Sequence, residues 1–146
     1  ILGHNTGFET GIIATMLVKK LAISTSVSYE KAFDNKPQYD FPNNFGDKAT
    51  NYTLSFGRLM YPKKYISFKQ TNINLMVEFV GQTINENGRT FVDIVPAIQF
   101  IFNSQARIDL AYRQELYSSM LRTAPNGIYF NLYYTFFNLK KKTDGK

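Results

Sequence analysis

The chain has 146 residues, 44% of them apolar and 16% aromatic, with no cysteine and one histidine. That is enough for one packed or lipid-facing domain, and it excludes disulfide frameworks, thiolate metal sites and histidine-based zinc or triad chemistry. The formal charge of +6 lies in the doublets Lys19-Lys20 and Lys63-Lys64 and in the tail Lys140 to Lys142, which reads as solvated turns and ends. A nucleic-acid surface would interleave basic and aromatic residues along one face.

No apolar run reaches the roughly 18 residues of a spanning helix, whereas a barrel strand needs only about 9–11. Strand-like alternation begins at Thr6 to Val18, with Phe8, Ile12, Ala14, Met16 and Val18 on one face and Glu9, Gly11 and Thr15 on the other. Leu21 to Phe33 answers it, Leu21, Ile23, Val27 and Tyr29 opposing Ser24, Ser26, Ser28 and Glu30. A link at Lys19-Lys20 sets Val18 against Leu21 and keeps both apolar faces on one side. Asp34 to Asp47 is dense in Asn, Asp and Pro and reads as a long loop in water.

Residues 49–61 return to alternation, Tyr52, Leu54, Phe56 and Met60 against Asn51, Thr53, Ser55 and Gly57, with Arg58 on the apolar side near the strand end, where it can snorkel. After a basic connection over Pro62 to Gln70, residues 71–84 form a strand with Ile73, Leu75, Val77 and Phe79 on one face and Asn72, Asn74, Glu78 and Gln82 on the other. Asn85 to Arg89 is a turn. Residues 90–102 and 106–117 form a hairpin across Asn103-Ser104-Gln105, a length that brings Phe102 and Ala106 to the same face. That register sets Gln99 opposite Asp109 and Val95 opposite Arg113, with Asp93 diagonal to Arg113. Ser118 to Asn126 reads as a polar loop, and 127–138 as an aromatic last strand. Residues 1–139 are thus one barrel domain, and 140–146 a basic tail.

Alternation alone leaves open which face is inside. Amplitude decides. One face carries Val92, Ile94, Ile98, Phe100, Ile108, Leu110, Tyr112, Leu116, Phe130, Leu132 and Tyr134, and the other carries Glu78, Asp93, Arg107, Asp109, Arg113 and Glu115. Aliphatic and aromatic side chains suit lipid, and charges of both signs suit a wet lumen. The expected fold class is therefore all-β, an antiparallel up-and-down transmembrane β-barrel with the first set facing lipid and the second lining the lumen. Short and long connections alternate as periplasmic turns and extracellular loops do, which puts the last strand's end and the tail on the periplasmic side. Seven strands is an odd number and single-chain bacterial barrels close with an even one. Either an eighth strand lies in a segment read as loop or the chain is the C-terminal part of a larger barrel; the second is the expectation.

From Thr71 onward the order of elements resembles an outer-membrane barrel family of Gram-negative bacteria, the one named for the meta-pathway of phenol degradation, in a Bacteroidetes-like version. The features are the Glu78 strand Asn74 to Gln82, the segment Val95 to Ile101, the Asn103-Ser104 hairpin, the strand Arg107 to Arg113 and the aromatic terminal strand. The resemblance implies an outer-membrane barrel with a transport or pore role for small solutes, and no particular substrate. Barrels of this kind end on an aromatic residue, whereas here Phe136-Phe137 is followed by Asn138 and a basic tail.

Three other readings stay open. The charged face can be a mutually paired plug in a narrow barrel. The chain can be a non-conducting structural or assembly subunit with outer-membrane protein partners. It can also be a soluble lipocalin-like or fatty-acid-binding barrel with its aliphatic face turned inward. Catalysis is not expected: His4, near Thr6 and Glu9, reads as a solvated end residue. No metal or cofactor is implied, and the expected partner is outer-membrane lipid.

Overall fold

Alternation that persists over a dozen residues can be satisfied only by long strands whose neighbours match it face for face. The computed structural model describes residues 6–33, 46–64, 66–67 and 69–136. These residues form seven strands: β1 (Thr6–Val18), β2 (Leu21–Phe33), β3 (Lys48–Tyr61), β4 (Asn72–Ile84), β5 (Thr90–Phe102), β6 (Ala106–Ser118) and β7 (Gly127–Tyr134). All lie in one sheet in the order β1-β2-β3-β4-β5-β6-β7, and every neighbouring pair is antiparallel. The fold is all-β and up-and-down. Neither β1 nor β7 has a second neighbour among the described residues, so the sheet is not closed. His4, most of the Asp34 to Asp47 loop, Phe137, Asn138 and the 140–146 tail lie outside the described residues.

Turn chemistry sets the register. Val18 faces Leu21 across Lys19-Lys20, with Lys19 in the left-handed region at φ 58°. At the next tight turn Asn103 (φ 51°) and Ser104 (φ 55°) are both left-handed, and the Gln105 amide donates to the Phe102 carbonyl at 2.9 Å. Positive φ at both central residues matches the right-handed twist of the strands. Phe102 then meets Ala106, and Gln99 meets Asp109.

The sheet is sheared along its width. Successive cross-strand partners lead from Thr15, near the Lys19-Lys20 end of β1, through Ser24, Ser55, Glu78 and Val95. The flanking pairs Ile94 with Gln114 and Ala97 with Ala111 carry the row from Val95 to Arg113. Arg113 faces Gly127, the first residue of β7 at the opposite end.

Two bulges alter the expected faces. In β3 the register shifts between Leu59 and Tyr61, so Tyr61 rather than Met60 opposes Ile73. In the β5–β6 pair it shifts between Val92 and Asp93, so Tyr117 opposes Val92 and Glu115 opposes Asp93. Leu116, expected on the apolar face, is the extra residue, and Tyr117 takes its place. One inserted residue reverses strand parity, which period-two reading does not register. β7 also ends earlier than the expected 138, at Tyr134. Thr135 adds one further bond, from its amide to the Gln105 carbonyl at 2.9 Å.

The two faces differ in shelter. The buried side chains Ala32, Ala49, Ile84 and Asp93 all belong to the polar face. The opposite face leaves large hydrophobic residues uncovered from edge to edge, from Ile12 at 77% exposure through Leu54, Leu75 and Leu110 to Ile128 at 82%. Cations stand at the margins of that apolar face, with Lys31 opposite Lys48 at one end and Arg58 opposite Leu75 toward the other.

Candidate functional site

The sheltered polar face gathers most of the ionisable strand residues, and β5 and β6 bring the densest group together. Asp93 is 0% exposed. Its partners come from two elements: Arg113 of β6, which donates through Nε and pairs through Nη2, and Arg122 of the β6–β7 loop. Arg122 donates from Nη1 to Asp93 Oδ1 at 2.6 Å and from Nη2 to Asp93 Oδ2 at 2.7 Å, while Nη1 also reaches Glu115 Oε2 at 3.1 Å. Both guanidinium groups lie over the Phe91 ring, Arg122 at 4.1 Å and Arg113 at 5.5 Å from its centroid. A two-pronged guanidinium–carboxylate pair is among the stronger charge-assisted contacts. Hydrogen bonding to Asp93 holds the Arg122 guanidinium above its ordinary pKa, so it stays charged throughout the accessible pH range.

Local bonds explain why Arg122 points onto the sheet. The Thr90 amide donates to Ser119 Oγ and the Ser119 amide to the Thr90 carbonyl, each at 2.9 Å. Ser118 Oγ donates to the Met120 carbonyl at 3.0 Å, and the Glu115 amide donates to Asn126 Oδ1 at 2.9 Å. Both ends of the loop are thereby tied to β5 and β6. Sequence reading treats Ser118 to Asn126 only as polar loop and misses Arg122. A signal was present: in register, Asp93 and Glu115 face a single cation, Arg113, so a second was needed to balance them.

Toward the short-turn end, Arg107 Nε lies 3.1 Å from Asp109 Oδ2 and its guanidinium stands 4.2 Å from the Tyr133 ring centroid. Arg107 Nε and Asp109 Oδ1 nonetheless have no hydrogen bond of good geometry, so the pair is held by charge and stacking. Beside it Asn74 donates to Gln99 Oε1 at 2.9 Å.

Across β1–β4 the polar face has a different character. Glu9 opposes Glu30. Ser28 Oγ donates to Glu9 Oε1 at 2.5 Å, Asn51 Nδ2 approaches Glu9 at 3.5 Å and Glu30 at 3.3 Å, and Gln82 donates to Asn51 Oδ1 at 2.7 Å. Glu78 stands between Ser55 and Val95. The structure therefore unites Asp93, Arg113 and Glu115, pairs Arg107 with Asp109 separately, and leaves Glu78 apart from both groups.

The residues expected to face lipid share the other face. Ile98, Leu110 and Phe130 align across β5, β6 and β7, as do Phe100, Ile108 and Leu132. Val92 adjoins Tyr117, Ile94 adjoins Gln114, Tyr112 adjoins Ile128 and Ala106 adjoins Tyr134. Among the described residues no group of three or more His, Asp or Glu side chains is placed to hold a metal ion.

Comparison of the chain with protein-family models, with curated proteins and with solved structures finds no match.

Proposed function

We propose that this sheet is part of a transmembrane β-barrel of a Gram-negative outer membrane, with its polar face lining an aqueous lumen through which small solutes pass. The observation that carries the reading is the inversion of a soluble sheet's faces: the buried side chains are on the polar face, and from β2 to β6 the uncovered large hydrophobic residues are on the other, those exposed on the polar face, Ile13, Leu17, Tyr129 and Tyr133, being confined to the edge strands β1 and β7. Contiguous apolar surface on this scale needs a lipid or protein cover. The shear from Thr15 to Gly127 supports it, because closing a sheet into a barrel requires tilted strands with a stagger that accumulates around the ring. So do Tyr61 and Tyr117, which the two bulges bring to the ends of the apolar band, where membrane barrels carry aromatic girdles. The open edges of β1 and β7 require further pairing, and additional strands of a larger, even-numbered barrel would supply it. We extend the proposal to membership of the outer-membrane family that the order of elements from Thr71 resembles.

The test is the gel mobility of the native protein extracted in mild detergent, with and without boiling. A heat-dependent shift is the expected outcome. Recovery in the soluble fraction without a shift would favour the inverted, lipocalin-like barrel instead. A second reading, a structural barrel that conducts nothing, draws on one observation: Asp93 is fully enclosed by its arginines. Conductance of the folded protein in planar bilayers separates the two, since a plugged barrel inserts and shows none.

A further inference from the structure

We infer that the lumen favours cationic over anionic solutes, although the chain as a whole is basic; this rests on the pore reading above. The placement of the charges supports this. Among the described residues the strand lysines Lys31 and Lys48, and Arg58 with them, lie on the apolar face near its margins. Lys19, Lys20, Lys63, Lys64 and Lys69 occupy turns and connections, and Arg89 lies exposed in the β4–β5 turn beyond the strand ends. Over its strands the polar face holds no lysine among the described residues, and the cations seated there are three arginines, Arg107, Arg113 and Arg122, with Arg89 beyond the strand ends beside Ile84.

Each of the three seated arginines is already engaged by a carboxylate. Arg107 faces Asp109, and Arg113 and Arg122 enclose Asp93, with Arg122 reaching Glu115 as well. Glu9, Glu30 and Glu78 have no cationic partner among the described residues. Among the described residues Glu9 and Glu30 take hydrogen bonds only from the neutral donors Ser28 and Asn51, and the cross-strand neighbours of Glu78 are Ser55 and Val95. Among the described residues the β5–β7 side of the polar face is therefore neutralised within itself, while the β1–β4 side carries uncompensated negative charge.

A concave surface with one excess sign and low-dielectric walls focuses its field into the enclosed water and concentrates counter-ions there. Rings of acidic side chains select cations in other pores by the same physics. No fixed ion-binding position is involved. Selection comes from the summed field of Glu9, Glu30 and Glu78 along the water path, and it extends to small organic cations.

The experiment is the reversal potential of the complete protein in planar bilayers of neutral lipid under a potassium chloride gradient. The expected result is potassium permeating several-fold more readily than chloride. In the triple variant Glu9→Gln, Glu30→Gln, Glu78→Gln, which keeps side-chain volume and hydrogen bonding, the ratio should fall toward unity with the heat-dependent gel shift retained. Chloride preference, no preference, or a ratio unchanged in the triple variant would overturn the inference while leaving the pore intact. A folded, heat-modifiable barrel that never conducts would overturn the pore reading and this inference with it.

Discussion

Arg122 and Asp93 form a two-pronged ion pair between a loop and a strand, with contacts of 2.6 and 2.7 Å. The pair does what sheet hydrogen bonding cannot: it fixes the β6–β7 loop onto the polar face. Arg122→Ala should lower the unfolding free energy by about 2 kcal/mol, less than the roughly 3–5 kcal/mol typical of breaking a buried pair, because Arg113 still faces the carboxylate. Asp93→Ala should cost about 3 kcal/mol or more, since it leaves Arg113 and Arg122 together without that partner. Urea titration of the two variants in the same detergent checks the order.

Arg113 adds a functional readout to the same group. Arg113→Ala removes a cation from the polar face and leaves Asp93 with Arg122 alone. In a conducting barrel the variant should shift ion selectivity further toward cations. An unchanged bilayer current with a lowered melting temperature would instead identify the cluster as packing.

How far the alternation could be read is best seen around β5. Thr90 to Phe102 runs as one strand because each of its faces finds a matching face on β4 and on β6. Its partner in the hairpin was readable up to Glu115 and no further. Beyond that residue the bulge moves Tyr117 into the position where strict alternation puts Leu116, and nothing in a period-two pattern marks an inserted residue. Arg122 escaped for another reason: its role depends on a loop conformation set by Ser118, Ser119 and Asn126, none of which is periodic. Alternation did not mark the sheltered side of the sheet, which was read instead from the contrast in amplitude between the two faces. Curvature belongs to the assembled strands, and either curvature satisfies the same alternation.

Gly81 lies opposite Tyr52, and a Cβ at Gly81 would collide with the Tyr52 ring. The ring crosses β4 at that glycine and its hydroxyl reaches Thr90 Oγ1 of β5 at 3.1 Å, linking β3 to β5 over the strand between them. Gly81→Val should therefore cost about 1–3 kcal/mol through overpacking. The double variant with Tyr52→Ala should recover part of that loss, because the clash disappears with the ring. Strict additivity in the double-mutant cycle would show that the ring moves aside at no cost.

Leu110 tests the orientation of the whole sheet. It sits between Ile98 and Phe130 near the middle of the exposed apolar band, whereas Asn131 occupies the polar face opposite Asp109. In a membrane barrel Leu110→Arg should cost about 2–4 kcal/mol if the residue lies at the bilayer midplane. Stability alone is not decisive, since an arginine placed in the cavity of an inverted soluble barrel is also unfavourable. The chain has no cysteine, so single Leu110→Cys and Asn131→Cys variants can each carry one small fluorophore. After refolding into vesicles, lipids brominated along their acyl chains should quench the label at position 110 strongly and the label at 131 weakly. Quenching at neither position would place the apolar face away from lipid, and stronger quenching at 131 would reverse the assignment of the two faces.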